Sequence, residues 1–245
     1  VEDPLDTDIE VGWDGYVIDG QFSKVAMQGY ESKDRGLIAS VMDADDMPEE
    51  VKEINKALSG ILKEANYRNF FSTEIRVVNG EPYLLDPCCR APSPSGEIQL
   101  EMWGNLGEII WEGANGTMID PDPVAKFGVE VIIEHKECPD GWRVIHIPDH
   151  VKQWVKLFGA CKVGNLYAIP PMPHLGNSIG AVVGLGDTIL DAIDDLNEVV
   201  NALGNQPITI DMSAIMDTLK VIGEAEDKGI EFSDKELPKP EEAVT

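Results

Sequence analysis

Glu74, Asp86 and Arg90 are the residues whose types and spacing carry the clearest chemistry in this sequence. They lie in residues 71–94, which read as two strands meeting at Asn79-Gly80 with an acid on each arm. A two-residue loop there sets Glu74 and Asp86 on opposite faces and mixes apolar with charged residues on both. A three-residue loop with Gly80 in the left-handed region separates the pattern: Ile75, Val77, Tyr83 and Leu85 on a buried side, Glu74, Arg76, Leu84 and Asp86 on a charged side. On that register Glu74 and Asp86 are diagonal neighbours, roughly 7–8 Å apart at the backbone, and both carboxylates can converge on one hard cation such as Mg²⁺. Arg90 then offers positive charge to a phosphate held by that ion. The same pattern describes an amphipathic hairpin with a solvated acidic face equally well. A hydrolase using Glu74 and Asp86 as acid and base is disfavoured, because the aromatic sugar platforms expected near such a pair are missing.

Several elements must position this hairpin. Residues 9–18 and 21–30 read as strands around the turn Asp19-Gly20, and Glu31-Ser-Lys-Asp34 as a loop in which Lys33 is a candidate phosphate contact. Pro48 opens a helix whose Val51, Ile54, Leu58, Ile61 and Ala65 recur at helical spacing. Residues 91–96 form a loop dense in turn formers, with Ser93 and Ser95 able to face a substrate, and 99–113 read as one helix. Asn115-Gly116 and Asp120-Pro-Asp-Pro123 mark a boundary, followed by strand-like segments from Phe127 to Val183. Gly184-Leu-Gly-Asp-Thr188 lacks the lysine of a phosphate loop and reads as a turn before a helix capped by Asp187 or Thr188. Ser213 starts a last helix, and Lys, Glu and Pro dominate from Ser233, the composition of a disordered tail. His135, His146, His150 and His174 show no metal spacing.

The run from Glu74 to Arg90 resembles the metal-binding hairpin of the ATP-grasp ligase superfamily, in which a Glu on one strand and an acid-x-Asn-x-Arg run on the next hold Mg-ATP. Glu74, Asp86 and Arg90 match it; Cys88 stands where that family has the ligating Asn, and a soft thiol is a poor Mg²⁺ ligand. Glu2, Asp3 and Leu5 resemble the hinge that meets the adenine, and Asp8 or Glu10 the acid near the ribose. The turn at Gly184 and its helix are similar to the C-terminal domain of phosphoribosylamine–glycine ligase-like and biotin-carboxylase-like proteins. The resemblance implies an α+β fold, with the C-terminal lobe of an ATP-grasp domain in residues 1–120, a smaller mixed α/β domain in 121–232 and the tail at 233–245. It implies ATP and Mg²⁺ as cofactors, with metal ligands Glu74, Asp86 and Cys88, and Arg90 steadying the transferred phosphoryl group. Glu2, Leu5, Asp8, Glu10 and Lys33 would contact the nucleotide. The implied activity is a carboxylate–amine ligase acting through an acyl phosphate, with a non-catalytic scaffold of the same fold as the alternative. The nucleotide-gripping lysines of the family have no counterpart here, so a fragment that binds ATP poorly is expected.

Composition bounds the remaining classes. With 245 residues and 43% hydrophobic content the chain can bury real cores. Forty-five acids against 19 bases, a formal net charge of -26, argue against nucleic acid and anionic lipid as main partners and leave small molecules or proteins, a homo-oligomer included. Cysteines at 88, 89, 138 and 161 form no C-x-x-C spacing and fit a reducing cytoplasm. No apolar run reaches the ~18–20 residues of a membrane span, and no signal peptide pattern opens the sequence.

Overall fold

The computed structural model describes residues 10–137, 139–232 and 237–238. In chain order its elements are β1 (Glu10–Ile18), β2 (Gln21–Phe22), β3 (Val25–Ser32), β4 (Gly36–Asp43), α1 (Glu49–Glu64), β5 (Arg68–Val78) and β6 (Glu81–Cys88). There follow α2 (Gly96–Met102), α3 (Leu106–Ala114), β7 (Phe127–His135), β8 (Arg143–Ile145), β9 (Val155–Leu157), β10 (Cys161–Val163), β11 (Leu166–Ile169), β12 (Ser178–Gly186), α4 (Ile189–Leu203), β13 (Ile208–Ile210) and α5 (Ser213–Glu226).

Among the described residues, one antiparallel sheet of ten strands runs β6-β5-β1-β3-β4-β7-β12-β9, with β2 on β1 and β13 on β7, while β10-β11-β8 form a small second sheet. The β4–β7 pairing, Gly36 with Val131 through Ser40 with Phe127, carries the sheet past the Asp120-Pro-Asp-Pro123 segment. Arg35, at the β3–β4 turn, is clamped to Asp217 of α5 and to Asp211 just before that helix, each at 2.7 Å.

Strand alternation divides the sheet between two cores. Val11, Trp13, Ile75, Val77, Val129 and Val131 join the inward residues of α1, α4 and α5 in one apolar cluster. Burying side chains of this size contributes about 1.5–3 kcal/mol each, which ties those helices to the sheet. On the opposite face Tyr16, Ile18, Leu37, Ala39 and Val183 pack against Ile98 and Met102 of α2 and Ile109 of α3. α2 and α3 cover only part of that face, and beside them Glu10, Gly12 and Asp14 open on a cavity of about 550 Å³.

The structure corrects several expectations. The hairpin loop is a two-residue turn: Val78 pairs with Glu81, and Asn79 and Gly80 both take positive φ, 53° and 82°, the conformation that suits Asn-Gly and matches strand twist. A bulge then shifts the register, because Ile75 pairs with Leu84 and Glu74 with Asp86, leaving Leu85 as the extra residue. Tyr83 pairs with Arg76 and Leu84 with Ile75, so the faces expected for these two are exchanged, and Tyr83 and Leu85, expected in the core, are 45% and 38% exposed on an edge strand. The expected helix at 99–113 is two helices, interrupted at Trp103-Gly104-Asn105. Residues 36–43, unassigned in the sequence reading, form the strand β4. Thr188 caps α4, its Oγ1 accepting from the Asp191 N–H at 3.1 Å. Of the tail, Leu237 packs on the helix-side core, and the rest of 233–245 lies outside the described residues.

Candidate functional site

The cavity is built on β1, β5 and β6, and its chemistry follows from which residues alternate onto it. Pairing β1 with β5 sets Glu10 opposite Arg76, Gly12 opposite Glu74 and Asp14 opposite Ser72. Pairing β5 with β6 adds Asp86 opposite Glu74 and Cys88 opposite Ser72. Glu74 and Asp86 therefore share a face as directly opposed residues, with Cβ atoms about 4.5–5.5 Å apart rather than on a diagonal. The bulge at Leu85 is what brings Asp86 round; without it the two-residue turn would send Asp86 to the other side.

Glu10, Lys33, Glu74, Asp86, Cys88 and Arg90 all line this one cavity. Glu2, Leu5 and Asp8 lie outside the described residues. Glu10 is ion-paired to Arg76. Burial, and then the neighbouring Glu74 carboxyl, raise Glu10 above the usual carboxylate range against the pull of Arg76. Lys33 reaches Glu31 at 3.7 Å with its side chain 73% exposed. Arg90, among the described residues, donates to a main-chain oxygen, that of Ala91 at 2.9 Å, and to no carboxylate, so its charge faces the cavity uncommitted.

Among the described residues no three His, Cys, Asp or Glu side chains converge closely enough to cage an ion. Glu74 and Asp86 are nonetheless a pair of hard oxygen donors on one wall, and Mg²⁺ is commonly held by one or two carboxylates with the remaining positions left to water and phosphate oxygens. That donor pair fits the ion. Cys88 does not: burial raises its thiol above the usual range, keeping it protonated at neutral pH, and sulfur is a soft ligand.

The sequence reading did not single out Asp14, Glu31, Glu97 or Glu130. Asp14 is buried beside the Ser72 and Ser95 hydroxyls, and burial pushes its carboxyl up to about 6 despite them. Glu130, on β7, is fully buried, and burial followed by the nearby Glu97 raises it well above the ordinary range. The signal for Asp14 was present as Glu10-x-Gly12-x-Asp14, three cavity-facing positions at strand spacing; that for Glu130 was a single acid inside the apolar run 127–133.

With this geometry in view, the fold can be matched: the chain shares the ATP-grasp fold of its structural neighbours. It is similar to phosphoribosylamine–glycine ligase from Thermotoga maritima, with TM-score 0.60 and 20% identity over 83% of this chain and 53% of that one. Phosphoribosylglycinamide synthetase from Anaerococcus prevotii aligns at TM-score 0.50 and 14% identity over 84% of this chain and 54% of that one. Kluyveromyces lactis urea amidolyase aligns at TM-score 0.51 and 14% identity, covering 89% of this chain and 14% of its own. The chain thus spans about half the length of the two bacterial enzymes. No protein-family model matches the sequence, and no curated protein matches it.

Proposed function

We propose that this chain contributes the metal-binding half of an ATP- and Mg²⁺-dependent carboxylate–amine ligase. The observation that carries the reading is the convergence of Glu74, Asp86 and Arg90 on one cavity wall, two hard acids directly opposed across β5 and β6 with an uncommitted guanidinium beside them. The general kind of activity is also that of the neighbours sharing its fold.

In the proposed reaction a carboxylate oxygen of the substrate attacks the γ-phosphorus of ATP and ADP leaves. An amine then attacks the resulting acyl phosphate, phosphate leaves with the C–O bond electrons, and the nitrogen loses a proton. Bound Mg²⁺ would offset charge on the phosphate oxygens. Glu74 and Asp86 would hold that ion, and Arg90 would hydrogen-bond the phosphoryl oxygens as charge shifts onto them. Glu10 would act with its Arg76 partner at the cavity mouth, and Lys33, on a long exposed stem, would reach the nucleotide's phosphates. Cys88 would stay a neutral wall residue rather than a ligand.

The test is ATP-dependent phosphate release by the protein as the cell makes it, supplied with pooled carboxylates and amines. Release that needs both pools and falls at least 100-fold in Glu74→Gln supports the ligase. A folded protein that releases no phosphate with any pool refutes it in favour of a non-catalytic scaffold, for which Cys88 in place of a hard ligand is the favouring observation.

A further inference from the structure

The inner corner of the cavity, away from Glu74 and Asp86, is short of hydrogen-bond donors. Asp14 and Glu31 line the cavity on β1 and β3, and the carboxyl of Glu130 behind them is close enough to be influenced by both. Glu130 is 0% exposed, and neither of its carboxyl oxygens has a hydrogen-bond partner. Glu97 Oε2 beside it is also buried and unpartnered. Burying such acceptors unmatched costs about 1–3 kcal/mol each, so the arrangement calls for a donor-rich occupant.

The floor in front of this corner is bare. Gly12 and Gly29 line the cavity on β1 and β3, and neither has positive φ, so backbone conformation does not require glycine at either place. A Cβ would come within 3.3 Å of the Thr73 carbonyl oxygen at Gly12 and within 3.2 Å of Leu37 Cδ1 at Gly29, so glycine suits the close packing of the sheet itself and leaves no side chain on the cavity floor. The cations of the cavity do not fill the need: Arg76 is paired with Glu10, and Lys33 reaches Glu31 from solvent.

We propose that this corner binds a positively charged ammonium or guanidinium group, so that the amine substrate is elongated and carries a second cationic end. That the cation belongs to the nucleophile rests on the ligase reading; binding at the corner does not. Asp14 lies on β1 and Asp86 on β6, two strand spacings across and two residues along, or about 12 Å apart, so one end of an elongated amine can sit at the corner while the other reaches toward the acyl carbon near Arg90. A neutral or acidic substituent at the corner would leave the acceptors unmatched or repelled.

The test uses the full chain without nucleotide, which separates it from the ligase reading. Binding of 1,4-diaminobutane and of 1,4-butanediol, equal in length and differing in the charge of their ends, is measured by ligand-observed NMR in 0.15 M salt, where long-range attraction to the acidic surface is screened beyond about 8 Å. The diamine is expected to bind at least tenfold more tightly. Asp14→Asn and Glu31→Gln, the latter at a partly buried position, should each erase most of that preference, while Glu108→Gln, exposed on α3, leaves it intact. Melting curves confirm that each variant is folded, and Glu31→Gln keeps the test decisive where Asp14→Asn is not. Equal binding of the two ligands, no binding of either, or a preference that survives Glu31→Gln or falls equally in Glu108→Gln overturns the proposal.

Discussion

The two faces of the sheet at β1 and β5 differ by one residue of register and by everything in their chemistry. Val11, Trp13, Ile75 and Val77 point to a closed apolar core, where each side chain is matched by helix residues. Glu10, Gly12, Asp14, Glu74 and Arg76, the alternating set, line an open cavity in which burial, followed by a neighbouring acid, raises Glu10 and Asp14. The first face stores stability, while the second gives some up to hold charged groups where a ligand can meet them.

Substitutions should therefore act oppositely on the two faces. The largest effect is expected from Ile75→Ala, which empties a fully buried position and should destabilise by about 2–5 kcal/mol, read as a lowered denaturant midpoint with cavity geometry retained. Asp14→Asn should go the other way. In the folded chain its carboxyl ionises near 6 rather than 3.8, so the wild type carries no penalty below pH 4, loses relative stability as pH rises from 4 to 6, and bears the full cost above that. A shift of that size corresponds to about 3 kcal/mol at most. The stability difference between Asp14→Asn and wild type, followed from pH 4 to 8 by urea denaturation, should grow through that window and then level off; a flat difference would show that Asp14 is not held out of water.

Thr188→Ala, remote from both faces, should cost about 1 kcal/mol through loss of the α4 cap, and a pH-independent loss in thermal melts gives the baseline against which the Asp14 effect is judged. The smallest change is expected from Leu85→Ser. Leu85 is apolar by sequence but sits exposed at the bulge of an edge strand, and equilibrium unfolding should move by no more than about 0.5 kcal/mol. A loss comparable to that of Ile75→Ala would mean that β6 follows the three-residue register after all.

Much of this contrast was legible in the sequence. The alternation of Glu74, Ile75, Arg76 and Val77, and the helical spacing of Val51 to Ala65, follow from periodicity alone. The bulge was not legible, because Asn79-Gly80 fixes the turn while the compensating extra residue at Leu85 leaves no mark in the residue types, and pairing resumes beyond it through Asp86, Pro87 and Cys88. Strand β4 escaped notice because residues 36–43 are an apolar run buried on both faces, without the alternation that marks an edge or half-exposed strand. Asp14 and Glu130 were missed for a related reason: each is flanked on both sides by apolar or glycine residues, Trp13 and Gly15 or Val129 and Val131, and only the tertiary pairing of β1, β3, β4 and β7 brings them to the same corner.

The central claim is that Glu74 and Asp86 jointly face the cavity and hold a divalent ion there. Mn²⁺, a paramagnetic substitute for Mg²⁺, can be titrated into the ¹⁵N-labelled chain while amide line broadening is followed residue by residue. The account predicts broadening centred on residues 10–14, 72–76 and 84–90, with at least tenfold more Mn²⁺ needed to reach it in Glu74→Gln or Asp86→Asn. Broadening centred instead on the acidic segment 43–50, or unchanged in both variants, would contradict it.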